Sequence, residues 1–230
     1  MIIATTLGIS LGYLAARRRG SAIDNGPMAL SLVGVAVPVF FLAFVLKYVF
    51  ALKLGWLPPS NRSSIGVEHS RVTGLLTLDG VLTGEWSAAW DAAQHLILPA
   101  IALSSIPFSV IFRITRGSVL EVLDEDYVRT ARSKGLSTAT IGYRHILRNA
   151  LIPVVTTVGL MTGALLAGAV LTETVFNFRG VGQALALGFE TRDYAILQVL
   201  IMMAALIYIV VNLIVDLAYA VIDPRVRFTK

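Results

Sequence analysis

Ala195 to Ile222, AILQVLIMMAALIYIVVNLIVDLAYAVI, holds one carboxylate, Asp216, and no basic side chain. A stretch this long and apolar exceeds the roughly 20 residues that cross the hydrocarbon of a bilayer. Lipid offers a backbone no partners, so the segment must satisfy its own N–H and C=O groups as a helix. The same constraint runs through the chain, in which 56% of residues are hydrophobic and 14% charged at a mean hydropathy of +0.77, values foreign to a soluble domain. The fold class this implies is an all-α integral membrane protein. Without cysteine, a disulfide framework, thiolate metal ligation and a cysteine nucleophile all drop out. The net charge of +5 is modest. Nucleic-acid binding is the weaker reading of it, and its placement says more than its size.

Five apolar segments are expected. The first, residues 1–16, is uncharged and runs into Arg17, Arg18 and Arg19. Apolar first and basic after is the reverse of a signal peptide, and suits a helix that enters from outside and ends on the cytoplasmic side. Asp24 to Pro27 reads as a turn, and residues 28–52 as the return span, with Pro38 as a kink point. The polar loop from Lys53 to Gln94 carries turn signals at Asp79-Gly80 and Thr83-Gly84, and its basic residues do not outnumber its acidic ones, which suits the outer side. Trp56, Trp86 and Trp90 in or beside it read as an aromatic belt rather than a ligand box. Residues 95–115 form the third span, broken by Pro99 and Pro107. Within it Ser104, Ser105 and Ser109 either line an aqueous substrate path or serve close helix packing.

The fourth span, residues 151–172, carries Gly159, Gly163, Ala164, Ala167, Gly168 and Ala169 at spacings that permit tight helix contacts. Glu173 to Tyr194 reads as an outer loop with a short helix after Gly182. In the fifth span, residues 195–222, Asn212 and Asp216 lie at i and i+4 and read as a hydrogen-bond clasp, with a functional pair as the alternative. Residues 223–230 form a cytoplasmic tail. This topology, N-terminus outside and C-terminus cytoplasmic, gathers Arg113, Arg116, Arg129, Arg132, Lys134, Arg144, Arg148, Arg225, Arg227 and Lys230 with the triple arginine on the inner face.

Residues 117–150, between the third and fourth spans, contain the longest basic polar run of the chain. The carboxylates of Asp124 to Asp126 are placed to cap a first short helix, which stops at Gly135, a residue suited to the left-handed C′ position. Ser137 is a good N-cap for a second helix, with Leu136 and Ile141 at hydrophobic-staple spacing. Tyr127, Val128 and Ala131 form the apolar face of the first helix, and Ala131 is small enough to let its backbone approach a groove. Arg129, Arg132 and Lys134 lie around it as contacts to an acidic rim. A helix, a glycine corner and a second helix leading into the membrane make a rigid element on which a partner docks. The competing reading, a basic amphipathic helix on anionic lipid, needs neither Gly135 nor two successive caps.

The run DYVRTARSKGLS followed by RHILRNALIP resembles the cytoplasmic coupling loop of the membrane subunit of bacterial ABC importers, specifically the dipeptide, oligopeptide and nickel permease branch. RRRGSAIDNGPMALSLVGVAVPVFFLAF, LGWLPPS, ETVFNFRGVGQALALGFETRDY and NLIVDLAYAVIDPRVRF fit the same branch in the same order, so the resemblance covers nearly the whole chain. It implies a type I ABC-importer transmembrane domain of about five spans with a cytoplasmic coupling helix, set in a bacterial plasma membrane and forming half of a translocation pathway for peptides or a related small solute. It also implies partners: ATP-binding cassette subunits that carry ATP and Mg, a second homologous permease, and an extracytoplasmic substrate-binding protein. No cofactor is expected on this chain. The coupling contacts it implies are Tyr127, Val128, Arg129, Ala131, Arg132, Lys134 and Gly135. Where the wider superfamily has Glu-Ala-Ala this chain has Arg129, Thr130 and Ala131, the form the peptide branch favours. Such subunits usually begin with one further membrane helix ahead of the position Met1 occupies here.

The sequence has no GxxxxGK[ST] phosphate loop, so the ATPase belongs to a partner. Of the rival classes, an intramembrane enzyme needs convergent catalytic groups at membrane depth, yet Asp216 is the one carboxylate clearly within a span and the three histidines lie in loops or at interfaces. A stand-alone secondary transporter needs more spans and intramembrane ion ligands.

Overall fold

A computed structural model describes residues 1–222, without the side chains of residues 166–168 and 218–222. The described secondary structure is helical. In chain order the helices are α1 (Ile2–Arg17), α2 (Ala22–Ala36), α3 (Val39–Leu46, continued by a π-helical stretch Lys47–Lys53), α4 (Leu76–Thr83), α5 (Trp86–Leu123) and α6 (Asp126–Ser133). A single turn, α7 (Thr138–Thr140), and a π-helical stretch Ile141–Leu147 lead into α8 (Arg148–Val175), followed by α9 (Val181–Thr191) and α10 (Tyr194–Ile222). Among the described residues, three helical segments are long and apolar enough to cross a membrane, Trp86–Leu123, Thr138–Leu165 and Tyr194–Leu217, and the α2–α3 pair raises the number to four as one broken span. α1 is a shorter apolar helix.

Two expectations about breaks are corrected. Asp24 to Pro27 is not a turn but part of the first turns of α2, with Pro27 inside the helix at its sixth residue, where it removes the N–H that would have reached the Ile23 carbonyl. The third span is not broken at Pro99 or Pro107. α5 runs through both over 38 residues, beginning nine positions before residue 95. A backbone in lipid has no outside partner for freed groups, which favours continuing the ladder over opening it. Pro38, in contrast, does interrupt its segment: α2 ends at Ala36 and Pro38 caps α3.

The chain forms two compact units. The first comprises residues 1–36, 104–165 and 203 onward. In it Gly8 and Gly12, one turn apart on α1, bring that helix against α5 so closely that a Cβ at Gly8 would lie 2.7 Å from Ile111 Cγ2, and one at Gly12 2.8 Å from Thr115 Cβ. A core of Ala4, Ala15, Phe108, Ile111, Phe112 and Val154 fills around this contact. In the same unit Gly159 and Gly163 of α8 meet Val215 and Tyr208 of α10, as the small-residue spacing predicts. The expected Asn212–Asp216 clasp does not form: the Asn212 amide instead donates to the Tyr208 carbonyl one turn earlier, at 2.9 Å. The tail 223–230, with Arg225, Arg227 and Lys230, and the side chains of Ala167 and Gly168 lie outside the described residues.

The second unit comprises residues 37–103 and 166–202. Ala43, Ala51, Leu98, Ala102 and Phe176 form its core. The Lys47 ammonium donates to the Val175 carbonyl at 2.8 Å, placing a cation at the C-terminus of α8, where the helix dipole favours one. The helix expected after Gly182 is α9, and its N-terminus is closed by the Glu173 carboxylate, which accepts from the Gln183 N–H at 2.8 Å.

Candidate functional site

The loop between α5 and α8 lies within the first unit. α6 carries its polar side chains and Tyr127 outward and Val128 and Ala131 inward. Val128 is 0% and Ala131 4% exposed, in a cluster with Ala16, Val119, Ile141, Ile146 and Ala150. The helix therefore has an apolar face of Val128 and Ala131, without the Tyr127 expected on it, and that face is spent on the chain's own core. Ala131 does not offer its backbone to an external groove. The outward side consists of Asp126, Arg129, Thr130, Arg132, Ser133 and Lys134, all exposed, and Tyr127 at 40%.

Gly135 adopts φ +74°, a conformation that costs an L side chain about 1–2 kcal/mol. Around it the Gly135 N–H donates to the Arg132 carbonyl at 3.0 Å and the Leu136 N–H to the Ala131 carbonyl at 3.3 Å, the two bonds of a Schellman close. The second cap is also as expected, with Ser137 Oγ accepting from the Thr140 N–H at 3.2 Å. The first is not. Glu125 is the N-cap of α6 and makes no side-chain cap bond, while Asp126 turns outward to an exposed ion pair with Arg129 at 3.5 Å. An exposed pair of this kind is worth little, so α6 is held by its buried face and C-terminal corner rather than by its N-terminus.

Three further contacts fix the loop, and none of them is apparent from local sequence pattern. Asn149 Nδ2 donates to the Tyr127 hydroxyl at 3.0 Å and to the His145 carbonyl at 2.8 Å, bridging α6 to the start of α8. Gly142 leaves room for the Tyr13 hydroxyl of α1, and the Arg17 guanidinium donates to that hydroxyl at 3.2 Å. At the base of the loop, Asp24 of α2 is 3% exposed and paired with Arg116 of α5 at 2.6 Å. Asp24 and Arg116 lie 92 positions apart with two apolar segments and the polar outer loop between them, and the turn expected at Asp24 gave no sign of the pair. Leu136 and Ile141, expected as a staple, both line a small cavity of about 240 Å³ with Arg17, Arg132 and Ile146.

Of the three serines expected on a path or in packing, Ser109 is held between helices. Ser109 is fully buried and its hydroxyl donates to the Ser105 carbonyl at 2.7 Å, while Gly34 of α2 sits so close that a Cβ there would meet Ser109 Oγ at 2.6 Å and the Ser105 carbonyl at 3.0 Å. Ser104 is also buried. Ser109 is thus in close helix contact, while Ser105 is half-buried.

In the second unit two acidic groups are strongly placed. Asp79, fully buried, accepts from the Thr73 hydroxyl at 2.6 Å and from the Thr73 and Gly74 N–H groups at 2.7 and 2.9 Å, which hold its carboxyl below the usual carboxylate range. Burial pushes the Glu173 carboxyl up, against the backbone donors at the α9 N-terminus.

The family model described as "Binding-protein-dependent transport system inner membrane component" matches residues 8–228. The chain is 47% identical over its whole length, and across 68% of the relative, to the di/tripeptide transport system permease protein DppB of Pseudomonas aeruginosa. It is 45% identical, again over the whole chain and 69% of the relative, to the dipeptide transport system permease protein DppB of Escherichia coli K12. Among solved structures it is similar to inward-facing conformations of the MetNI methionine ABC transporter, with a TM-score of 0.62 at 13% identity over 96% of this chain and 90% of that one, a likeness of fold.

Proposed function

Since the chain belongs to the family of binding-protein-dependent transport system inner membrane components, we propose that α6 is the element through which it couples to an ATP-hydrolysing partner subunit, and that the solute carried is a di- or tripeptide. The observation that carries the coupling role is the way α6 is mounted. Val128 and Ala131 weld it to a core that also contains residues of α1, α5 and the start of α8. A push on α6 is thus delivered to three helices rather than absorbed by a loop. Its outward residues Arg129, Arg132 and Lys134 supply donors for an acidic rim on the partner, with Tyr127 beside them.

On this reading ATP and Mg sit on the partner, whose closure moves the two coupling helices of a permease pair. An extracytoplasmic binding protein delivers the solute, and the loop carrying α9 lies on that side. The inner face is the one that bears Arg17, Arg18, Arg19 and the α6 loop, following the bias of basic residues toward the cytoplasm. One chain supplies half of a conduit, so a homologous permease or a second copy completes it. The peptide cargo rests on the names of the relatives and on this membership.

The test is capture of the cognate ATPase subunits by detergent-solubilised permease, comparing wild type with R129E/R132E. The double charge reversal leaves the α6 core intact, so loss of capture with an unchanged melting curve supports docking on the outward face. Retained capture overturns it. Peptide uptake into proteoliposomes that needs both ATP and the binding protein tests the cargo, and uptake without ATP would point to a secondary transporter.

A further inference from the structure

We propose that α4 and the first turns of α5 form an amphipathic helical hairpin that lies on the bilayer, its apolar groove filled by a lipid acyl chain. One side of α4 is committed to the protein. Asp79 is locked to Thr73 and Gly74, and Gly80 approaches the α5 backbone so closely that a Cβ would stand 2.8 Å from the Ala89 nitrogen. Gly84, at φ +78°, makes the corner between the two helices. The side chains on the opposite side, Leu78, Val81 and Leu82 at i, i+3 and i+4, are all exposed. A soluble loop helix so firmly pinned has no reason to aim three apolar side chains at water.

The occupant follows from the residues of this hairpin and its cavity. Trp86 and Trp90, one turn apart at the start of α5 just past the Gly84 corner, are 68% and 65% exposed, and Trp is the residue whose amphipathic ring settles at the membrane–water interface. Between α4 and α5 lies a cavity of about 450 Å³ lined by Leu75, Leu76, Leu78, Val81 and Leu96, with Phe178 behind and Arg62 as its charged member. Arg62 is already engaged, donating to the Gly74 carbonyl at 2.8 Å and lying 5.7 Å from the centre of the Phe178 ring. That leaves an apolar groove, suited to hydrocarbon rather than to a polar solute. Leu96 belongs both to the groove and to the helix that enters the membrane, so the groove is continuous with a lipid-facing surface.

The chain's lack of cysteine makes single nitroxide labels straightforward. L82C and V81C are labelled in the complex reconstituted in lipid nanodiscs with cysteine-free partners, and collision with oxygen is compared with collision with a water-soluble nickel chelate. I65C, fully exposed in the loop, gives the aqueous reference, and phospholipids labelled along the acyl chain give the membrane reference. The expected result is an oxygen-to-nickel ratio for Leu82→Cys several-fold above that of Ile65→Cys and within the range of the lipid labels. A ratio equal to that of Ile65→Cys means water on this face and overturns the proposal. So does low collision with both reagents, which means a protein partner covers it. ATPase capture by the same variants is measured in parallel, because the α6 reading stands or falls separately.

Discussion

The Arg116 guanidinium holds the Asp24 carboxylate by two parallel hydrogen bonds, Nε to Oδ1 at 2.6 Å and Nη2 to Oδ2 at 2.8 Å, and the Gly20 N–H adds a third at 3.0 Å. Both charges are largely removed from solvent, with side-chain exposures of 5% for Asp24 and 20% for Arg116. The pair ties α2 to α5 just before α5 leads into the α6 loop. Removing one partner strands the other charge, so Asp24→Asn and Arg116→Gln are each expected to cost on the order of 3–5 kcal/mol. The apolar double variant D24L/R116M should recover most of that loss, since no unpaired charge remains. Thermal melts of all three in detergent check this, and additive loss in a double-mutant cycle would show that the two residues do not act as a pair.

Gly135 is the corner of the docking element and the residue with the most restrictive backbone there. Gly135→Ala should destabilise the loop by about 1–2 kcal/mol because φ +74° is costly for an L side chain, and Gly135→Asn by less, since Asn tolerates that region. Gly135→Pro is incompatible with the observed φ and removes the N–H that reaches Arg132. Protease susceptibility between Asp124 and Ser137 should rise in the order Asn, Ala, Pro. Ala131→Trp should behave like a core lesion, lowering melting temperature as well as ATPase capture, which separates it from the surface reversal R129E/R132E.

Much of this architecture is legible before any coordinates. The apolar runs pointed to helices, because lipid permits little else at that depth, although three of them, or four with the α2–α3 pair, are long and apolar enough to cross among the described residues. Gly135 and Ser137 gave the corner, because caps are local chemistry. What escaped were relationships set by packing. The inward turn of Val128 and Ala131 depends on Val119 and Ile146, residues outside the eight of α6. Gly8 and Gly12 formed a visible one-turn spacing, yet only their contact with Ile111 and Thr115 gives it meaning. Pro99 and Pro107 looked like breaks because proline is judged by its effect on an isolated helix, whereas a long membrane helix carries them without stopping. The Asp24–Arg116 pair spans 92 positions and no local rule reaches that far.

The contact of Gly163 with Tyr208 offers a test of how α8 and α10 are held together. A Cβ at position 163 would lie 2.5 Å from Tyr208 Cε2, so Gly163→Ala pushes the ring or the helix away. Overpacking of this kind costs about 1–3 kcal/mol. Pairing it with Tyr208→Ala, which vacates the space, should bring the melting temperature back toward that of Tyr208→Ala alone. If Gly163→Ala is as damaging with alanine at 208 as with tyrosine, the clash is not the cause and the helices meet elsewhere.

The loop that presents α4 is expected to weaken in acid through Asp79. Its folded carboxyl lies below the usual value because the Thr73 hydroxyl and the Thr73 and Gly74 N–H groups favour the charged form. The unfolded loop titrates near 4. A depressed folded pKa means that the unfolded loop binds the proton more readily, so the stabilisation is complete above the unfolded pKa and declines as pH falls through the folded one. Amide exchange at Thr73 and Gly74, corrected for intrinsic rates, should therefore lose protection as pH is lowered from about 5 toward 3. The Asp79→Asn variant, which keeps a carbonyl acceptor but no charge, should begin with less protection at pH 7 and show a flatter profile. An equally steep profile in Asp79→Asn would assign the acid sensitivity to another group, with Glu85, held low by the Ser70 hydroxyl, the next to test.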